Sequence, residues 1–195
     1  VIPPVYLTST FAFNQIGVEQ KYDYTRTANP TRDALAEAVS VLEGGYGATV
    51  TSSGMAAITL ITALLNPNDY VLIPHDCYGG TFRLFSRLAE RGLLQVKFVD
   101  QSDLSLLKQT INQYQPKIVW VETPSNPLLR VVDIQAVSKL LEQGNTLLVV
   151  DNTFLTPIFQ TPFKLGADLV IHSTTKYING HSDVVGGIVV AKNET

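Results

Sequence analysis

Lys176 stands in a run of hydroxyl-bearing residues, His172-Ser173-Thr174-Thr175-Lys176-Tyr177, directly after the β-rich stretch Asp168-Leu169-Val170-Ile171. A lysine amine attacks a carbonyl once it has lost its proton, and partial burial helps that loss. Taken alone, such a lysine is equally an exposed side chain opening a loop. Asp151 changes the balance. It closes Thr146-Leu147-Leu148-Val149-Val150, a continuous apolar run of the kind that a strand buried on both faces requires. A carboxylate at the carboxyl end of that strand needs a cationic partner, and a pyridinium nitrogen is one. A Schiff-base lysine beside an Asp for the ring nitrogen is the pair that pyridoxal phosphate calls for. Ser173 and Thr175, three and one residues before the lysine, are placed to offer hydroxyls to its phosphate.

Positioning these groups falls to an alternation of short β-rich and helical runs that begins at residue 47. That alternation signals an α/β fold, a mostly parallel sheet with crossover helices. Strands are expected at Ala48–Thr51, Tyr70–Pro74, Gln95–Val99, Ile118–Val121, Thr146–Val150 and Leu169–His172. Helices are expected at Met55–Leu65, Thr81–Arg91, Leu104–Tyr114 and Ile134–Gln143. A last strand, Val184–Ala191, follows the lysine through a Gly-containing turn and should pair antiparallel. Before the sheet, Asn29-Pro30-Thr31 starts a helix whose Leu35, Val39 and Leu42 share one face until Gly44-Gly45 stops it. Residues 1–29 have little periodicity and read as an extended arm around Tyr22-Asp23-Tyr24-Thr25-Arg26. The organisation expected is an arm over 1–30 and a large domain over 31–195.

In an open α/β sheet, ligands bind outside the carboxyl ends of the strands. Five loops there carry chemistry: Ser52 to Met55, His75 to Gly80, Glu122 to Pro127, Asp151 to Thr153 and Ser173 to Lys176. Ser53-Gly54-Met55 joins a strand to a helix, so its N–H groups suit a phosphate and Gly54 permits close approach. No Walker-type Gly-Lys-Ser/Thr is present. Tyr78 is a packing residue or a ring to stack on a flat heterocycle. Asn126 is at least a turn residue. Arg26 is a solvated charge or a phosphate ligand. His172 and His181 lack metal-site spacing, and no metal is expected.

These residues and their surroundings resemble the Cys/Met-metabolism family of pyridoxal-phosphate enzymes, with matching stretches from Tyr22 to Gly187. The resemblance implies a fold type I, aminotransferase-like cofactor domain, and in the family a smaller C-terminal domain follows it. The chain therefore reads as a fragment without that domain. The resemblance also assigns roles. Lys176 holds pyridoxal 5'-phosphate and shuttles protons, and Asp151 keeps the ring nitrogen protonated. Tyr78 stacks on the ring and is an acid-base candidate, and Asn126 bonds near the ring oxygen and the substrate carboxylate. Gly54 and Met55 N–H groups and the Ser173 and Thr175 hydroxyls take the phosphate, while Arg83 meets the substrate. Tyr24 and Arg26 reach a neighbouring subunit's phosphate in a homotetramer built of site-sharing dimers.

The activity implied is replacement at the gamma carbon of O-succinylhomoserine by the sulfur of cysteine, a step of methionine biosynthesis. Asp76-Cys77-Tyr78-Gly79-Gly80-Thr81 and Ser182-Asp183-Val184-Val185-Gly186 favour that branch. Cleavage of cystathionine at its gamma carbon and sulfhydrylation of O-acetylhomoserine are the alternatives within the family. A non-catalytic cofactor-binding homologue is the alternative outside it, against which Lys176, Asp151 and Tyr78 all stand.

Composition agrees with small amino-acid substrates. At 195 residues, 45% apolar and net charge −3, the chain can bury a core and has no basic run for nucleic acid or an anionic membrane. Its longest apolar run, Met55 to Leu65, is too short to span a bilayer, so a soluble, cytoplasmic protein is expected. One cysteine, Cys77, allows no internal disulfide and fits a reducing compartment. Asn193-Glu194-Thr195 matches a glycosylation sequon by chance.

Overall fold

Ile118, Val119, Trp120 and Val121 are all buried, as are Val71-Leu72-Ile73, Leu148-Val149-Val150 and Val170-Ile171. Strands that are apolar on both faces need cover on both faces, which a parallel sheet between helical layers supplies. The computed structural model, which describes residues 2–142 and 144–194, has this architecture. Seven strands form one sheet in the order β1-β7-β6-β5-β4-β2-β3. They are β1 (Gly47–Thr51), β2 (Tyr70–Pro74), β3 (Gln95–Val99), β4 (Ile118–Glu122), β5 (Leu147–Asp151), β6 (Leu169–His172) and β7 (Gly187–Ala191). Pairing is parallel from β3 through β2, β4 and β5 to β6, and β7 runs antiparallel to both β6 and β1.

Helices α1 (Pro30–Glu43), α4 (Leu104–Tyr114) and α5 (Ile134–Leu141) cover one face. Their Val39, Leu107, Ile111, Ile134 and Val137 pack with Leu72, Val119, Val121 and Leu148. Helices α2 (Gly54–Thr62) and α3 (Gly79–Glu90) cover the other, where Ala57, Ile58, Ile61 and Phe85 pack with Val71, Ile73, Trp120 and Val149. Side chains alternate between faces along each strand, so neighbours such as Leu72 and Ile73 fall in different cores.

Strands β2, β3 and β6 and helix α4 have the bounds expected from sequence, and most other bounds shift by one to three residues. Three differences have physical causes. Residues 184–186 are outside β7, because the backbone of Gly186 is held at both ends by the Thr175 hydroxyl and cannot enter a ladder. Along α1 the buried stripe is Val39, Ser40 and Glu43, whereas Leu42 is 55% exposed. The stripe turns polar because the Glu43 carboxylate finds partners beneath the sheet. Two short turns absent from the expectation, α6 (Thr156–Phe159) and a 3-10 turn at Pro162–Leu165, link β5 to β6. Val1, Gln143, to which α5 was expected to run, and Thr195 of the sequon lie outside the described residues.

Residues 2–29 contain no helix or extended strand, only an isolated Thr10–Tyr24 bridge. The segment doubles back on itself through Phe11 N donating to Asp23 O and Thr25 N to Ser9 O. Asn29 Nδ2 donates to Tyr6 O at 3.2 Å, and Tyr6 N donates to Thr31 Oγ1 at 2.9 Å, which ties the segment to the start of α1. Among the described residues no helix is long and apolar enough to cross a membrane.

Candidate active site

A cavity of about 270 Å³ opens at the carboxyl ends of the strands, and residues from all five loops line it. Ser53, Gly54 and Met55 come from the β1–α2 junction and Tyr78 from β2–α3. Glu122, Pro124 and Asn126 come from β4–α5, Asp151 and Thr153 from the end of β5, and Ser173, Thr175 and Lys176 from the end of β6. Of the eleven residues given roles from sequence, eight meet here, whereas Tyr24, Arg26 and the exposed Arg83 do not line the cavity.

The α2 end of the cavity is built for an anion. Ser53 caps the helix, with its Oγ accepting from Ala56 N at 3.0 Å and its carbonyl from Ala57 N. The N–H groups of Gly54 and Met55, in the first turn, have no acceptor among the described residues, as expected for an open helix start. A Cβ on Gly54 would lie 2.6 Å from Ser173 Cβ and 3.0 Å from its Cα, so only glycine lets this helix start touch the β6 loop.

Past β6 the chain turns at once. Lys176 N donates to Ser173 O and Gly180 N to Lys176 O, which fixes the lysine in a tight turn. Its side chain is exposed and forms no ion pair among the described residues. The Thr175 hydroxyl accepts from Gly186 N at 3.0 Å and donates to Gly186 O at 3.2 Å, binding the turn to the strand that follows. Ser173 anchors through its backbone, N–H to Thr153 Oγ1 at 2.9 Å, and its own hydroxyl has no protein partner among the described residues.

Asp151 and Glu122 are register partners at the ends of β5 and β4, so two carboxylates lie side by side on the cavity wall. Asp151 Oδ1 accepts from Thr153 N at 3.0 Å and Oγ1 at 2.6 Å. Burial pushes its carboxyl above the ordinary range, against the pull of the Thr153 bonds and of His172. Glu122 is pushed up to about 7, by burial first and then by the charge of Asp151. Its Oε2 accepts from Tyr78 N and its Oε1 from Asn126 N, both at 2.8 Å. The Tyr78 ring folds back over the start of α3, where a Cβ on Gly80 would meet it at 2.5 Å and Met55 Sδ at 2.7 Å.

Tyr24 and Arg26 are elsewhere, in a shallow groove with Tyr6, Thr8 and Arg32, the Arg26 guanidinium 5.1 Å from the Tyr24 ring centroid. Cys77 is buried and its thiol is pushed up to about 12, mainly by burial, which leaves it inert as a nucleophile. His172, fully buried, contacts Glu43, and His181 is exposed with Nδ1 2.8 Å from Asn179 O. Sequence reasoning missed Glu122 and Thr153 as site residues. Glu122 carries the same signal as Asp151, an acid ending an apolar strand, and could have been found by it.

The donor set suits pyridoxal phosphate: unpaired helix N–H groups and a serine hydroxyl without a protein partner among the described residues for a phosphate, an amine, and a carboxylate that could pair with a pyridinium nitrogen. The family model for the Cys/Met metabolism PLP-dependent enzymes matches residues 1–195. The chain belongs to this family. The cystathionine gamma-synthase of Escherichia coli K12 is 53% identical over 194 residues, covering 99% of this chain and 50% of that protein. The cystathionine gamma-lyase of Bacillus subtilis 168 is 44% identical over 191 residues, covering 98% and 50%. The crystal structure of cystathionine gamma synthase from Xanthomonas oryzae pv. oryzae in complex with aminoacrylate and cysteine superposes with a TM-score of 0.95 at 51% identity, over 98% of this chain and 50% of that one. The chain spans about half the length of the members of this pyridoxal-phosphate family that it matches.

Proposed function

We propose that this protein catalyses a gamma-replacement of the cystathionine gamma-synthase type, converting O-succinyl-L-homoserine and L-cysteine into L-cystathionine and succinate in the cytoplasm. The observation that carries this reading is one cavity holding the Lys176 amine, the Asp151 carboxylate, the Tyr78 ring and the open N–H groups of α2. The higher identity to a gamma-synthase, 53% against 44% for a gamma-lyase, favours synthesis over cleavage.

In this reading Lys176 would hold pyridoxal phosphate covalently, and the N–H groups of Gly54 and Met55 with the Ser173 hydroxyl would receive its phosphate, joined by the Thr175 hydroxyl if it gives up its bond to Gly186 O. Asp151 would keep a proton on the ring nitrogen, Tyr78 would offer its ring for stacking, and Asn126 would offer its amide for a hydrogen bond. When bound, the cofactor supplies the electron sink for a carbanion beside the substrate's amino group. The Lys176 amine, held in its fixed turn, would move protons at the alpha and beta carbons of the substrate. Residues 1–30 act as an arm, separate from the cofactor-binding domain of 31–195. The arm carries Tyr24 and Arg26 to the phosphate of a second copy in a tetramer of site-sharing dimers.

The test is an assay of the full-length gene product with O-succinylhomoserine plus cysteine, O-acetylhomoserine plus sulfide, and cystathionine alone. The first pair should turn over fastest. Faster breakdown of cystathionine would make the protein a lyase, its products telling cleavage at the gamma carbon from cleavage at the beta carbon.

A further inference from the structure

We propose that Glu122 is a positioning residue for this reaction, its two carboxylate oxygens holding the Tyr78 and Asn126 loops at the cavity wall. The proposal rests on the cofactor-binding reading above and adds a residue to it. Glu122 ends β4 and is only 6% exposed. One oxygen receives Tyr78 N at the start of α3 and the other receives Asn126 N in the following loop, each at 2.8 Å. Carboxylates alone present two equivalent acceptors at this reach; a glutamine would meet one of the two N–H groups with its own NH2.

Stability does not account for the group. Among the described residues no lysine or arginine pairs with it, Asp151 stands beside it in register, and Asp76 adds a third negative charge nearby. A buried carboxylate so placed costs more than an apolar side chain of the same volume. What it does accomplish is geometric. Tyr78 is 42% exposed and makes no side-chain cap bond; its carbonyl accepts from Phe82 N within α3, and its N–H is tied to the sheet through Glu122. The other ties between these two connections, Ser125 Oγ to Asp76 Oδ2 at 2.6 Å and Arg130 to His75 Nε2 at 2.9 Å and to Asp76 Oδ2 at 3.9 Å, involve no residue of the cavity wall.

The experiment is made on the full-length holoenzyme. Glu122→Gln should keep cofactor that borohydride fixes at Lys176 with parental stoichiometry, and should lower kcat roughly 10- to 100-fold. KM for the acyl-homoserine should change less than about threefold, and the visible circular dichroism of the bound cofactor should weaken. In a Tyr78→Ala background the same change should cost several-fold less, because the ring that it positions is gone. Should Glu122→Gln not fold, Glu122→Asp, which keeps the charge but reaches one loop only, should show the same pattern. Parental kcat and dichroism in a cofactor-loaded variant, or an undiminished loss in the Tyr78→Ala background, would overturn the proposal. Absence of cofactor from Lys176 in the parent would instead sink the reading beneath it, and this proposal with it.

Discussion

Glu43 Oε1 lies 2.5 Å from His172 Nε2, joining two residues 129 apart in sequence, both fully buried. Asn152 Nδ2 donates to the same oxygen at 2.9 Å, and Gln160 Nε2 donates to Asn152 Oδ1 at 2.9 Å. His172 immediately precedes Ser173 and Asn152 immediately follows Asp151, so this network is the frame on which the two chemical loops rest. Glu43→Ala removes the partner of His172 Nε2 and one of the two acceptors of Asn152 Nδ2, the other being Gln160 O. Breaking a buried pair from one side costs about 3–5 kcal/mol, which should appear as a lowered urea midpoint with an unchanged slope. An unmoved midpoint would mean that the frame relaxes without Glu43.

Asp151→Asn should retain part of the cofactor yet lose orders of magnitude in turnover, since a neutral amide cannot hold a proton on the ring nitrogen. Each 1.36 kcal/mol of lost stabilisation is about tenfold in rate. Near-parental kcat with cofactor bound would remove Asp151 from the chemistry.

Glu122 gives the cofactor-free protein a pH signature. Its folded carboxyl is raised to about 7 from 4.5, so its contribution to stability is fully present below 4.5 and is lost as pH rises through 7. Over that window the loss is about 3 kcal/mol. Urea midpoints of the parent and Glu122→Gln should therefore diverge between pH 4.5 and 8, the parent falling more steeply. Parallel curves would contradict the raised carboxyl.

The fold was legible because its signals are local. Buried runs such as Ile118–Val121 and Leu148–Val150 announce strands covered on both sides, and Asn29-Pro30 announces a helix start capped by Asn29 Oδ1, which accepts from Thr31 N at 2.8 Å. Lys176, Asp151 and the Gly54 junction were legible because each combines an unusual residue type with a strand end. The parts that escaped depend on partners distant in sequence. Glu43 looks like a solvated helix charge until His172 is placed beside it, and Leu42 looks like core until Glu43 takes that side. Glu122 acquires meaning only when two loops, 44 and 4 residues away, both turn their N–H groups to it.

Tyr24 and Arg26 lie outside the cavity of their own chain, and complementation tests the proposal that they serve the cavity of a second copy. Full-length Arg26→Ala and Lys176→Ala variants, each inactive, are refolded together. Half of the dimers are then hybrids with one intact site in two, so activity should return to roughly a quarter of the parental level. If hybrids form and stay inactive, the arm serves its own chain.

The central claim is that Lys176 carries pyridoxal phosphate, and borohydride reduction tests it most directly. The full-length gene product, loaded with the cofactor, is reduced, digested and mapped by mass spectrometry. The account predicts one stable pyridoxyl adduct at Lys176, absent from Lys176→Ala, which keeps its fold because the side chain lies exposed on a turn. An adduct mapping to Lys164 or Lys192, or persisting in that variant, would contradict it.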